Sequence, residues 1–176
     1  TTTDEHISVE CMTGFSSVID GGGVVDTIYL TDNSNLDAFF LHDSYSGLHE
    51  SITAVDDGFA RETVARVISI ETINAGDGND VIDLTSITFD MAGVGVTLNG
   101  DEGNDILWAA EGDDTLNGGE GNDVLFGGAG TNILTGGAGA DEFQFTMNST
   151  NDSVTDFNVS EGDTLKFFNT GGAEFS

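Results

Sequence analysis

Four aspartates fall on a strict nine-residue grid, at Asp105, Asp114, Asp123 and Asp141, and Asn132 occupies the one grid point without a carboxylate. Each grid residue closes a Gly-rich hexad and is followed by a short apolar tripeptide, as in Gly118-Gly119-Glu120-Gly121-Asn122-Asp123 and then Val124-Leu125-Phe126. The unit reads as turn, ligand, strand. With 25 glycines and no proline in the chain, long helices are excluded over this half while strand ladders run uninterrupted. Five consecutive nonapeptides begin at Gly100, Ala109, Gly118, Gly127 and Gly136. Their eighth positions, Leu107, Leu116, Leu125, Leu134 and Phe143, are large and apolar and are expected to point inward. Their fourth positions, Gly103, Gly112, Gly121, Gly130 and Gly139, mark a tight turn that needs positive φ.

The grid has edges. A further copy, Ala75-Gly76-Asp77-Gly78-Asn79-Asp80-Val81-Ile82-Asp83, stands upstream and out of phase: Gly100 minus Ala75 is 25, two short of three nonapeptides. Residues 84–99 must therefore break the winding or adapt it. Before that copy, residues 67–73 alternate apolar and polar residues like one half-buried strand. Gly21 to Tyr29 is a weaker echo that keeps Asp26 and the apolar Ile28. Downstream, Asp152 to Phe157 and Gly162 to Phe167 read as closing strands preceded by acidic turns, which brings in Asp156 and Asp163. The expected organisation is a single domain over 1–176. It comprises a non-repeating β-rich part at 1–74 with an insertion at 31–65, a repeat region at 75–144 broken at 84–99, and closing strands at 145–176.

Charge narrows the partners. Lys plus Arg is 3 against Asp plus Glu at 32, a formal net charge of −29 that opposes compaction without counterions. Carboxylates at fixed spacing in Gly-rich turns favour a hard cation with oxygen ligands. Nucleic acid and anionic membranes need basic patches and are excluded as partners. No apolar run approaches the roughly 18 residues of a membrane helix. Thr1 to Asp20 carries no basic, apolar leader pattern. The single Cys11 cannot form an internal disulfide, so metal is the available staple.

The nonapeptide resembles the calcium-binding repeat of RTX (repeats-in-toxin) proteins. That resemblance implies an all-β fold: a parallel calcium-bound β-roll, two nonapeptides to a coil, on which the β-rich N-terminal part packs. Several calcium ions would sit between turns stacked on the same edge. Asp105, Asp123 and Asp141 would then line one edge, and Asp114 and Asn132 the other. Asp77, Asp80, Asp26, Asp156 and Asp163 join the candidate ligands. Asn132 offers one neutral oxygen, so its site is expected to be weaker or empty. Ala109 and Ala110 replace the leading glycines of their copy, and an alanine forced to positive φ costs on the order of 1 kcal/mol.

More loosely, Gly14-Phe15-Ser16-Ser17-Val18-Ile19-Asp20-Gly21-Gly22-Gly23 and Ile70-Glu71-Thr72-Ile73-Asn74-Ala75-Gly76-Asp77-Gly78-Asn79-Asp80 resemble segments leading into the repeats of large bacterial RTX adhesins. This implies a monomeric segment of a much larger chain, secreted unfolded through a type I channel and folded at the cell surface where calcium is abundant. The function implied is calcium-dependent adhesion, binding a peptide or protein on a host or neighbouring cell. A glycan-binding domain and a non-binding folding and secretion module are the alternatives. Strand positions seven and nine point outward when eight points in, which stacks Trp108 beside Phe126 one coil apart. These two, with Tyr45 and Arg61 in the non-repeating part, are the candidate ligand-binding residues; coverage by neighbouring segments is the blander explanation.

No enzyme is read. His49-Glu50 begins like a zinc protease motif, but Thr53 stands where the second His is required. No Gly-x-Ser-x-Gly elbow is present, and Cys11 has no recognisable catalytic partners.

Overall fold

The computed structural model describes residues 6–8, 19–20, 27–29, 38–42, 45–49, 67–68, 70–85, 95–109 and 111–169. Its strands are His6–Ser8 (β1), Ile19–Asp20 (β2), Thr27–Tyr29 (β3), Ala38–His42 (β4), Tyr45–His49 (β5), Val67–Ile68 (β6), Thr72–Asp77 (β7) and Val81–Asp83 (β8). They continue with Thr97–Glu102 (β9), Ile106–Trp108 (β10), Thr115–Glu120 (β11), Val124–Phe126 (β12), Ile133–Ala138 (β13), Glu142–Phe145 (β14), Ser153–Val154 (β15) and Thr164–Phe167 (β16). Two seven-stranded sheets run β1-β3-β7-β9-β11-β13-β15 and β16-β14-β12-β10-β8-β4-β5. All pairings in them are parallel except the β4–β5 hairpin. The fold is an all-β parallel roll, as expected.

The reason lies in the alternation along each three-residue strand. In β10 and β12 the middle residue is buried and its neighbours are half-exposed. Ile28, Ile73, Leu98, Leu116 and Leu134 from one sheet meet Ile82, Leu107, Leu125 and Phe143 from the other, all fully buried. Burying each such side chain is worth about 1.5–3 kcal/mol. One apolar residue per strand is enough because the two sheets share a single file of core.

Register shows how the phase change is handled. Successive coils within the grid are offset by 18 residues, as in Ile106↔Val124 and Thr97↔Thr115. Across residues 84–96 the offset is 25, with Thr72↔Thr97 and Val81↔Ile106. The winding is adapted rather than broken: one coil is enlarged, and the upstream copy that is out of phase in sequence is in phase in space. Two other readings change. Residues 67–73 do not form one strand, since β6 pairs with β2 in a separate two-stranded sheet while β7 joins the roll. Ile70 and Ile73 are both buried three residues apart, a spacing incompatible with one strand of period two. Within the insertion, β4 extends the second sheet with Phe39 opposite Ile82, so part of that segment stacks as a coil.

The fourth-position glycines all have positive φ, from 119° to 142°. A Cβ on Gly121 would lie 1.6 Å from the carbonyl oxygen of Gly103, so the turns stack backbone on backbone.

Candidate metal centre

The stacked turns place grid residues in two columns. In the first, the Asp80 amide donates to Asp105 Oδ1 (2.7 Å), Asp105 to Asp123 Oδ1 (2.8 Å), Asp123 to Asp141 Oδ1 (2.9 Å) and Asp141 to Asp163 Oδ1 (3.0 Å). In the second, the Val96 amide donates to Asp114 Oδ1 (2.8 Å), Asp114 to Asn132 Oδ1 (2.9 Å) and Asn132 to Asp152 Oδ1 (3.0 Å). Each column residue thus ties its coil to the one before it.

One carboxylate oxygen serves this ladder. The other, Oδ2 of Asp105, Asp114, Asp123 and Asp141, is buried without a hydrogen-bond partner. Four carboxylates at 1 % exposure with an empty acceptor each are costly in an apolar setting. Burial accordingly pushes Asp105 up to about 7 and Asp114 and Asp123 up to about 6, against the opposing pull of the backbone N–H that each accepts. Asp141 is raised for the same reason. The charges of Asp123, Asp80 and Asp101 lift Asp105 further. A divalent cation removes this cost by holding the carboxyls ionised.

Among the described residues no three acidic, His or Cys side chains converge on one metal point. Backbone carbonyls of the turns must therefore complete any six- to eight-oxygen shell. The first-position glycines leave room for the carboxylate. A Cβ on Gly100, Gly118 or Gly136 would stand 2.4, 2.2 or 2.2 Å from Oδ2 of Asp105, Asp123 or Asp141. Ala109 holds a methyl at the equivalent position of the Asp114 turn. It does not have positive φ, contrary to the strain expected from its sequence, because the left-handed residue of the leading pair is the second one: Gly119, Gly128, Gly137 and, at φ 73°, Asp101. Ala110 lies outside the described residues.

The remaining candidates fall in different places. Asp77 ends β7 and is exposed. Asp156 accepts from the amides of Gly136 (3.0 Å) and Gly137 (2.8 Å), one on each oxygen. Asp163 closes the first column, and its Oδ2 accepts from the Asn158 amide (2.7 Å). Both act as turn caps with their oxygens engaged. Asp26, Arg61 and the side chain of Tyr45 lie outside the described residues. Trp108 and Phe126 stand side by side in register, both half-buried, with Trp108 Nε1 buried and without a hydrogen-bond partner. Farther along that outer face Val81 and Asp83 are buried, so this end of the face is covered. The site residue that the grid missed is Asp152. It is 20 residues from Asn132 instead of 18, and its signal was the aspartate before an apolar strand, Asp152-Ser153-Val154.

Residues 69–85, 97–125 and 108–143 match the family model of the RTX calcium-binding nonapeptide repeat (4 copies). No curated protein and no solved structure matches the chain. The matched segments carry Asp80, Asp105, Asp114, Asp123, Asn132 and Asp141 of the two columns, and over these segments the chain is similar to RTX calcium-binding repeats, with calcium, several ions of it, as cofactor.

Proposed function

We propose that the roll is the calcium-gated folding core of a secreted adhesion protein, with Asp80, Asp105, Asp114, Asp123 and Asp141 as its carboxylate ligands. The observation that carries this reading is the set of four buried Oδ2 atoms with no partner in the protein. Without metal, a chain of net charge −29 must either protonate these groups or remain open. With metal, binding free energy becomes folding free energy. Such coupling suits passage through a type I secretion channel in the unfolded state and folding outside the cell. Calcium titration of the metal-free chain, followed by circular dichroism and equilibrium dialysis together, tests it. The β signal and the bound ions are expected to rise in parallel, and a β signal that is complete before any calcium binds overturns the reading.

Recognition of a peptide or protein on a neighbouring cell surface is the second part of the proposal. It is supported by the Trp108–Phe126 pair, an aromatic platform on an outer sheet face. Calcium-loaded wild-type and Trp108→Ala chains on peptide and glycan arrays distinguish the options. Peptide binding lost in the variant supports recognition at the platform. Binding to sugars alone favours a glycan ligand, and binding to neither leaves a scaffold that presents other domains.

A further inference from the structure

The second column ends differently from the first. At its last rung the Asn132 amide and its Nδ2 both donate to Asp152 Oδ1, at 3.0 and 2.9 Å. The Ser149 hydroxyl donates to the Gly128 carbonyl (3.3 Å), and the Thr150 hydroxyl to the Gly130 carbonyl (3.2 Å). Gly128 and Gly130 belong to the turn that Asn132 closes, and their carbonyls are the backbone oxygens this turn offers to the coil below. Neutral donors of the protein thus occupy two carbonyls of this turn and an oxygen of Asp152.

From this arrangement we infer that the rung formed by Asn132, Ser149, Thr150 and Asp152 is a metal-independent clasp, and that the calcium-dependent part of the second column stops above it. The inference rests on the reading that the grid carboxylates hold calcium. Asp152 Oδ2 is the one side-chain oxygen of this rung that is buried without a hydrogen-bond partner. With the Gly128 and Gly130 carbonyls already accepting from Ser149 and Thr150, this oxygen has less backbone support toward the six to eight oxygens that calcium takes. Replacing the grid aspartate by asparagine accomplishes the change directly. The second arm of the side chain becomes an N–H donor, which repels a cation and finds a carboxylate instead. The rung then serves as a permanent end-stop, holding Ser153 on Asn132 and Thr155 on Leu134 through backbone bonds of 2.8 and 2.9 Å.

Two substitutions at one position separate a clasp from a metal site. Asp152→Asn keeps an Oδ1 acceptor and removes the charge; Asp152→Ala removes both. Calcium stoichiometry is measured by equilibrium dialysis, and exchange of the Ser153 and Thr155 amides by NMR at saturating calcium. The clasp requires that neither variant lose a bound ion, and that exchange accelerate at least tenfold in Asp152→Ala while staying within about threefold of wild type in Asp152→Asn. Loss of one ion in Asp152→Asn overturns it, as does unchanged exchange in Asp152→Ala. Asp123→Asn serves as the control: if it also loses no ion, the assignment of the grid carboxylates fails, while the exchange contrast at Asp152 still decides the clasp.

Discussion

The two edges of the roll are built from the same nonapeptide and differ in what their sixth position can do. On the first edge, Asp105, Asp123 and Asp141 succeed one another with a bare Oδ2 on each. On the second, Asp114 is followed by Asn132, whose amide arm is spent on Asp152. One atom, oxygen against nitrogen, divides a grid residue with a bare carboxylate oxygen from one whose second arm is hydrogen-bonded. The ladder bonds along the coils are nearly equal in length on both edges, 2.8–2.9 Å between Asp105, Asp123 and Asp141 and 2.9–3.0 Å through Asn132. The columns therefore share a structural role and part company in chemistry.

The strongest way to break this comparison is to remove calcium from the whole chain. Excess EGTA at neutral pH is expected to abolish most of the β signal in circular dichroism; retention of the full signal would mean that the bare oxygens are tolerated without metal. Next in size is Gly121→Ala. The new Cβ has no room against the Gly103 carbonyl, and φ is +133°, so a cost of at least about 3 kcal/mol is expected, read as a fall in thermal midpoint of the calcium-loaded form. A midpoint within a degree or two of wild type would contradict the backbone stacking of the turns.

The edges themselves are compared by Asp123→Ala and Asn132→Ala. Both leave a column amide without its acceptor, at about 1–3 kcal/mol. Only the first also removes a carboxylate, so it should lose bound calcium and show the larger thermal shift. Equal shifts and equal stoichiometry would erase the distinction between the edges.

Acidity provides a graded test. The folded values of about 7 for Asp105 and about 6 for Asp114 and Asp123 lie above the ordinary 3.8. The folded metal-free form therefore binds protons more tightly than the unfolded chain. Its stability from these groups is fully present below about pH 4 and is lost as pH rises through 6 to 7. Lowering the pH of the EGTA-treated chain from 8 to 5 is expected to restore part of the β signal, and calcium binding at pH 6 should release protons measurable in weakly buffered solution. A metal-free form that gains structure on alkalinisation would reverse the sign. The smallest effect belongs to Lys166→Ala, which removes the partly exposed Lys166–Glu142 ion pair (2.6 Å). Less than about 1 kcal/mol is expected, since solvent and salt screen such pairs; a larger loss in urea denaturation would give the C-terminal strands more weight than their exposure suggests.

Much of this was legible in the chain itself. The inward file from Leu107 to Phe143, the positive-φ glycines and the division of Asp105, Asp123 and Asp141 from Asp114 and Asn132 all follow from a period of nine and strand alternation. These are local properties, set by side-chain size and backbone sterics within a few residues. Less legible were features that depend on what a loop can absorb. Asp80 stacks under Asp105 because seven extra residues fit into one coil, 25 minus 18. Ala109 escapes strain because it does not take up positive φ. The continuous strand expected over residues 67–73 divides between two sheets, since Ile70 and Ile73 both have to reach the core.

By itself, then, the sequence determined the period, the core file and the oxygen-rich turns that call for calcium. The tertiary structure alone decided which turns lie on one another, since pairing between coils is chosen by backbone register while the connecting loops differ freely in length. It brought Asp152 beneath Asn132 across 20 residues and Asp163 beneath Asp141 across 22. It also showed which carboxylate oxygens the protein satisfies and which it leaves without a hydrogen-bond partner.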